Sequence, residues 1–446
     1  MGAGATAQTT VDLNIDQARS IATQALLSND PALALQIAEA ILTQLPDDRA
    51  ALIVVAAAAP QLGDPDRGRV AGARAFAVSR TDAQKYEAAR LTALAAANDQ
   101  RFTLATFWLR RALTVAPNDQ ERTRTLRDAR GVSRLNPWST QLSFSLAPSN
   151  NVNGGAEGED LIIAGQDTGG NISQAGLALA GWRASLGFGT QYRLHQSRTN
   201  RTTVGIQLQT ARAWITEDTT LPDEAFDTAS YTLSLRHERA LERGTLTFRV
   251  ARSLYEYRRL ENDERTTQYQ NYDTWLVGVD RRYPLNDRTV LSLSVNREQL
   301  SYLNTGIGDI ARLGLIGGVS YQLASGDQIS ASFALTDSDG DNLNYTSGEQ
   351  TLSGSYRFAD PIGPMSLALG GGLRWSDYPD YRVGFSTIPG GRQDTTVFAN
   401  ANIGFPNVSY AGFTPGLRID ANRVKSNVSR FERTTFSAGL TISSQF

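Results

Sequence analysis

The sequence predicts a two-part, α + β chain: an N-terminal α-helical solenoid, then a transmembrane antiparallel β-barrel of about fourteen strands. Three observations carry this prediction. In the last stretch, residues 433–446, Phe436, Ala438, Leu440, Ile442 and Phe446 alternate with Ser437, Gly439, Thr441, Ser443 and Gln445. That is the period of a strand with one apolar and one polar face. From residue 138 onward the same theme recurs in segments of about ten residues. The first third is instead rich in Ala, Leu and Arg, with apolar residues at helical spacing. A soluble β-sandwich is the plain alternative for the last stretch alone. It would leave a long unpaired edge, whereas a closed barrel pairs that edge and turns its apolar face to lipid.

Composition narrows the function. At 446 residues the chain exceeds one ordinary domain, and about two or three are expected. A formal net charge of −2 gives no polyelectrolyte character, so nucleic acid is not an expected partner. The chain has no cysteine, which excludes disulfides, thiolate metal sites and thiol catalysis and suits passage through an oxidising compartment. His195 and His237 are its only histidines, too little for a metal site or a His-based triad. Mean hydropathy is −0.31 and no run of about eighteen apolar residues occurs, so no transmembrane helix is expected. A transmembrane barrel gives the same average because its lumen face is polar. Residues 1–11 read as the remnant of a removed leader, with Ala3, Ala5 and Ala7 as small residues around a cleavage site.

Residues 12–135 carry the helices. Ala34, Ile37, Ala38 and Ile41 fall on one face, and Leu45-Pro46-Asp47 stops that helix. The pattern returns at Ala71, Ala75 and Val78, stopping at Ser79-Arg80-Thr81, and at Leu104, Trp108, Ala112 and Val115, stopping at Ala116-Pro117-Asn118. Pro46, Thr81 and Pro117 are 35 and 36 residues apart, close to the period of about 34 of tetratricopeptide repeats. Helices at 50–62 and 83–98 supply the other half of each pair. Small alanines let such helices approach closely, and a stack of pairs forms a concave surface for peptides or proteins. A plain helical bundle is the alternative. Lys85, Arg90, Arg101, Arg110 and Arg111 are candidates to line a groove, with a solvated face as the bland reading of each.

Residues 136–446 carry the barrel. After Asn136-Pro137, Trp138, Thr140, Leu142, Phe144 and Leu146 alternate with serines and Gln141. Twelve further segments precede the terminal one, marked for example by Val204, Ile206 and Leu208, by Trp275, Val277 and Val279, and by Leu352, Tyr356 and Phe358. Connections alternate in length: short at 241–244, 284–289, 324–328 and 359–364, long at 215–228, 258–268, 301–310, 336–347, 376–392 and 424–432. Short turns on one side and long loops on the other are the habit of outer-membrane barrels. Tyr192, Tyr283, Tyr321, Tyr356, Phe405 and Phe413 near the short turns, and Trp214 and Trp375 near the long loops, suit interfacial girdles.

Alternation also predicts an inward face. Arg249, Asp280, Arg282, Glu298, Arg312, Arg357, Arg374, Asp394 and Asp420 fall on it, with many Ser, Thr, Gln and Asn. Both signs together predict a wet lumen crossed by ion pairs and without strong charge selectivity. Arg212, Arg252 and Arg297 fall outward near the long loops, placed to snorkel to lipopolysaccharide phosphates or simply to be solvated. The 148–182 connection is long enough to plug the lumen. Leu161–Ile163 and 177–179 within it are candidates for an extra hairpin, which would raise the strand count.

Other motifs dissolve on inspection. Asp337, Asp339 and Asp341 imitate a calcium loop, but the required Gly is Asn342 and no Glu stands at the twelfth position, so a solvated loop is the reading. Gly370-Gly371-Gly372 and Gly390-Gly391 open no helix after a strand and are not phosphate loops; a crowded lumen or a bend explains them better. No enzyme activity, metal or cofactor is expected.

The order of parts, with Asn136-Pro137-Trp138 followed by Pro148, Asn151 and Asn153 in the run Phe144-Ser145-Leu146-Ala147-Pro148-Ser149-Asn150-Asn151-Val152-Asn153, resembles the Slam family, the surface lipoprotein assembly modulators. The resemblance implies delivery of surface lipoproteins, or related secreted proteins, across a bacterial outer membrane, with the helical part assisting in the periplasm alongside chaperones. The ending on Phe446 resembles a signal read by the barrel-assembly machinery. A fourteen-stranded lumen is wide enough for an extended chain but not for a folded domain. The substrate is therefore expected to thread unfolded or to leave by a seam where 138–147 meets 433–446. The main rival is a tetratricopeptide porin for exopolysaccharide export, for which a strongly charge-biased lumen is expected. A passive porin and a structural, peptidoglycan-linked role come after it.

Overall fold

A computed structural model of the chain describes residues 14–222, 224–260, 267–302, 306–408, 410 and 413–444. The expected leader remnant, residues 1–11, and Phe446 lie outside these. The described residues form a helical region and a barrel, which separate between Pro137 and Trp138.

Seven α-helices make up the helical region: α1 (Ile15–Leu27), α2 (Pro31–Gln44), α3 (Arg49–Ala58), α4 (Pro65–Val78), α5 (Asp82–Asn98), α6 (Phe102–Thr114) and α7 (Asp119–Leu135). Their starts are written in the sequence. Asn14 and Thr81 form capping boxes with Gln17 and Gln84, and Asp30-Pro31 and Asp64-Pro65 each place a capping carboxylate before a first-turn proline. The helix expected at 50–62 is α3 followed by a 3₁₀ turn, Ala59–Leu62, because Pro60 has no amide to continue the α-helical ladder. Each helix packs on the next, and α1 on α3 and α3 on α5, so these three form one continuous row. Fully buried alanines, among them Ala34, Ala38, Ala51 and Ala88, fill the interfaces. With no longer side chain there, the helix axes can approach closely.

The barrel begins with β1 (Trp138–Ser149). A small hairpin of β2 (Asp160–Ile163) and β3 (Gln166–Asn171) follows inside the first long loop. Then come β4 (Gly181–Gln196), β5 (Asn200–Ile215), β6 (Thr228–Ala240), β7 (Thr245–Leu260), β8 (Thr267–Pro284) and β9 (Thr289–Tyr302). Next are β10 (Asp309–Gln322), β11 (Gln328–Gly340), β12 (Ser347–Arg357) and β13 (Ser366–Tyr378). A second loop hairpin, β14 (Arg382–Val383) and β15 (Ser386–Thr387), precedes β16 (Arg392–Gly404), β17 (Phe413–Ser426) and β18 (Arg433–Ser444). Fourteen of these close a barrel in which sequence neighbours pair antiparallel and β18 returns to β1.

The extra hairpin does not raise that number. Leu161–Ile163 belongs to β2, which pairs with β3 rather than with 177–179, and Leu177 makes only an isolated bridge to Ala156. Phe358 and Phe405 fall just past the ends of β12 and β16. One-to-one register around the ring puts Phe144, Leu186, Leu208, Tyr231 and Leu254 on one continuous face. That face stays open: Phe144, Leu233, Val277, Val397 and Leu440 are between 43% and 61% exposed. A belt this apolar around a closed cylinder needs lipid against it.

Candidate functional site: the lumen and its closing seam

Register assigns the opposite face. Ser145 and Ser185, Thr232 and Ser253, Ser320 and Ser330, and Ser332 and Ser353 lie opposite one another, with hydroxyl oxygens 2.7 to 3.0 Å apart at each pair. Residues of this face from β1, β4, β5, β6, β7, β8, β17 and β18 line one shared cavity, so it is the lumen wall. Arg249, Asp280, Arg282, Glu298, Arg312, Arg357, Arg374, Asp394 and Asp420 all fall on it by register. Arg249 meets Asp280 at 2.6 Å and Arg312 meets Glu298 at 3.7 Å.

The balance of charge differs from the expectation of an unselective lumen. Among the described residues the same face carries seven further arginines, Arg183, Arg193, Arg201, Arg236, Arg392, Arg418 and Arg433, against two further acids, Glu238 and Glu349. Most of the acids are committed within the wall. Asp394 pairs with Arg392 at 3.1 Å, Asp420 with Arg418 at 2.8 Å, and Glu238 with Arg201 and Arg236 at 3.2 and 3.4 Å. Among the described residues, no carboxylate stands within ion-pair distance of Arg183, Arg282, Arg357 or Arg433. The lumen is therefore biased towards anions.

A second feature of the wall is aromatic. Tyr255, Tyr272 and Tyr302 lie side by side across β7, β8 and β9, with ring centres 4.8 and 4.4 Å apart and planes within 10° and 23° of parallel. Phe398 also points inward, and Gly372 opposite it makes room: a Cβ there would stand 2.6 Å from the phenyl ring. The glycine run in β13 thus accommodates side chains crowding the lumen.

Asn151 and Asn153 of the junction motif organise the first long loop. Asn151 exchanges two hydrogen bonds of 2.9 Å with the backbone of Gly155. The Asn153 amide donates to the carbonyls of Ala175 and Leu177 at 3.0 and 2.6 Å, and its oxygen accepts from the Leu179 amide at 3.1 Å. Gly155 has no alternative, since a Cβ there would sit 2.1 Å from the Leu177 carbonyl oxygen. The loop then packs Val152 and Leu179 on Ala213 and Leu221. It also ties to the β17–β18 turn through Glu157 to Glu432, Ala164 to Asn427 and Ser429 to Asp160. Asn136 ends α7 and donates to Thr103 at 3.2 Å, while Trp138 opens β1 with its ring 4.8 Å from that of Tyr192.

The closing seam is unevenly paired. β4 lies opposite every residue of β1 from Trp138 to Ser149, and β17 opposite β18 from Arg433 to Ser444. Across the seam, among the described residues, β18 lies opposite β1 at Phe144, Ser145, Leu146 and Ser149. Pro148 accounts for part of the gap. The Asn150 amide donates to the Phe436 carbonyl, so amides two residues apart, at 148 and 150, face β18, and Pro148 has none to give. Asn150 holds the long-loop end instead, its side chain accepting from the Phe436 amide at 2.7 Å and donating to the Thr434 carbonyl at 3.2 Å.

Other expectations change on contact with the structure. Of the five groove candidates, Arg90 is bound to Asp128 at 2.6 Å and Arg101 to Asp99 at 2.7 Å. Arg111 covers Phe76 at 4.4 Å and Trp108 at 5.0 Å. Arg90 and Arg111 thus tie neighbouring helices together, whereas Arg101 stays half exposed beside the α5–α6 turn. Asp337 and Asp339 are outward-facing strand residues of β11, not loop residues, and Asp341 accepts from the Asp309 amide at 2.8 Å. No acidic group suited to a metal occurs among the described residues. Outward-facing Arg212 and Arg252 pair with Asp227 and Asp273 at 3.8 and 3.0 Å and lie over Trp214 and Trp275.

No protein-family profile and no curated protein matches the chain. Among solved structures it is similar to a BenF-like porin from Pseudomonas fluorescens Pf-5, with TM-score 0.36 and 10% identity over 69% of this chain and 98% of that one. Acinetobacter baumannii OccAB3 gives 0.35 and 10% over 69% and 98%, and the Pseudomonas putida toluene transporter TodX 0.34 and 12% over 71% and 91%. Likeness this remote carries nothing about substrate.

Proposed function

We propose that this chain is an outer-membrane translocator that delivers surface lipoproteins or related secreted proteins across the membrane, its helical region engaging the substrate or a chaperone in the periplasm. The apolar belt supports a place in the membrane, and the short-turn side, where β1 begins, suits the periplasm. The seam is the observation that carries the reading. A barrel too narrow for a folded domain but closed by one junction with sparse pairing among its described residues offers its cargo a sideways exit. The test uses the absence of native cysteine. Ser145→Cys and Thr441→Cys are placed directly opposite across the seam. In a heterologous bacterium displaying candidate lipoproteins, protease shaving of intact cells is expected to show display that requires this chain, stops on oxidation and returns with reductant. Display that persists with the seam fully cross-linked removes the lateral route. Display independent of the chain removes the translocator reading.

One observation favours a second reading, export of an exopolysaccharide. The arginine surplus on the lumen wall is the charge bias expected of an exit for an acidic polymer. Secreted glycan that disappears when the chain is deleted, with lipoprotein display unchanged, would decide for it.

A further inference from the structure

A lumen cavity of about 570 Å³ spans the barrel. β8, which contributes Tyr272, and β17, which contributes Arg418 and Asp420, stand half a turn apart in the ring of fourteen. A ligand filling the cavity therefore touches both walls. One wall offers Tyr255 and Tyr272, two members of the stacked row. The other offers the Arg418–Asp420 pair, locked by two hydrogen bonds of 2.8 and 2.9 Å. Between them the floor is hydroxyl- and amide-rich, with Ser145, Ser185 and Gln209.

Arg183 is the odd member. Its guanidinium lines the cavity and, among the described residues, donates to the Val152 carbonyl at 3.5 Å and the Thr228 hydroxyl at 3.4 Å, both long for hydrogen bonds. Asp227 is the carboxylate that acts on it, from beyond ion-pair distance, and that acid already pairs with Arg212 at 3.8 Å. A guanidinium held this loosely is available to a carboxylate that arrives with a ligand.

We propose that this cavity is a binding subsite for an acidic saccharide, Arg183 taking a uronate carboxylate while Tyr255, Tyr272 and the hydroxyl floor take the sugar ring. Aromatic groups combined with dense hydroxyls suit a ring that is apolar on its faces and polar at its rim, and Arg183 supplies the charge selection. The subsite rests on the second functional reading, that the lumen conducts a glycan, and names the class of that glycan.

The test reconstitutes the full chain in planar bilayers and adds oligogalacturonate, maltohexaose of matched length, or polyglutamate. Oligogalacturonate is expected to block current at least tenfold more tightly than either comparison. Arg183→Gln should abolish that preference, Arg183→Lys should restore part of it, and Tyr272→Leu should weaken block several-fold. Equal block by maltohexaose overturns the role of charge, and equal block by polyglutamate overturns the sugar. No block, together with no binding of oligogalacturonate to the detergent-solubilised chain by calorimetry, overturns the subsite. If a variant fails to fold, judged by heat-modifiable electrophoretic mobility, the three-ligand comparison on the native chain decides alone. Preferential block in bilayers without any glycan at the cell surface would support the subsite and remove the export reading.

Discussion

Arg392 lies against Phe431, its guanidinium carbon 3.8 Å from the centre of the ring, and so joins the start of β16 to the turn between β17 and β18. Tyr378 and Tyr381 close the other sides at 3.6 and 4.9 Å, and Asp394 takes the charge at 3.1 Å. The arginine is only 8% exposed. A cation enclosed in this way gains about 2 kcal/mol from its rings. Phe431→Ala should therefore loosen the 427–432 turn, and amide exchange there should quicken at least tenfold while the strands remain protected. Unchanged exchange would mean that the turn is held by the first loop alone.

Asn153→Ala removes four polar contacts at once, among them the one that holds the Leu177 carbonyl. Each unsatisfied buried group costs about 1–3 kcal/mol. Limited proteolysis of the folded barrel should then cut within residues 150–180, where the native chain resists. A native digestion pattern would assign the loop's order to its apolar contacts instead.

Pro148→Val returns an amide to the seam side of β1, facing the carbonyl of Ala438. One backbone hydrogen bond contributes about 1 kcal/mol net. The variant barrel should unfold at higher temperature in detergent, and any process that uses the seam should slow. Slower display with unchanged melting would show that Pro148 acts on the substrate and not on the seam.

The helical region has its own pH dependence. Asp48 is buried, which opposes its ionisation, but the Arg19 guanidinium at 2.9 Å and the Ala51 amide at 2.9 Å outweigh this and hold its carboxyl below the usual range. A carboxylate with a depressed native pKa stabilises the fold above its unfolded value of about 3.9, and the contribution fades as pH falls through the native value. Asp48→Asn keeps the helix cap but loses the ion pair with Arg19. Exchange from α1 to α3 in the full chain, corrected for intrinsic rates, should separate the two proteins at pH 7. The difference should shrink below about pH 4. A constant difference across that range would mean that the pair does not contribute.

The barrel was legible because each strand advertises itself twice, by alternation and by the turn after it. Triplets such as Val204, Ile206 and Leu208 give both the strand and its outward face. The charge of the lumen was harder to read, because the deciding arginines stand beyond those triplets. Arg183 lies near the long-loop end of β4 and Arg201 near the start of β5, where strand ends are least certain, while Arg433 opens a stretch already read as a strand. Extending the alternation by one or two residues would have found the first two. The tyrosine row was hidden differently. Tyr255, Tyr272 and Tyr302 are aromatic residues on the polar face, and only the register between three strands brings them together. The roles of Asn151 and Asn153 depend on a loop path that no periodicity encodes.

The uneven seam also has a mechanical meaning. Thirteen of the fourteen strand junctions share lateral tension along their length, while at the fourteenth the load falls on the few positions around Phe144–Leu146 and on the Asn150 anchor. Bilayer stress or a cargo pressing outward would part the wall along that line first. With the long-loop end pinned to the β17–β18 turn, the described stretch most open to parting is Ala147–Pro148, between the paired positions at Leu146 and Ser149. Such a wall fails in one place, and it can reseal from the pinned end.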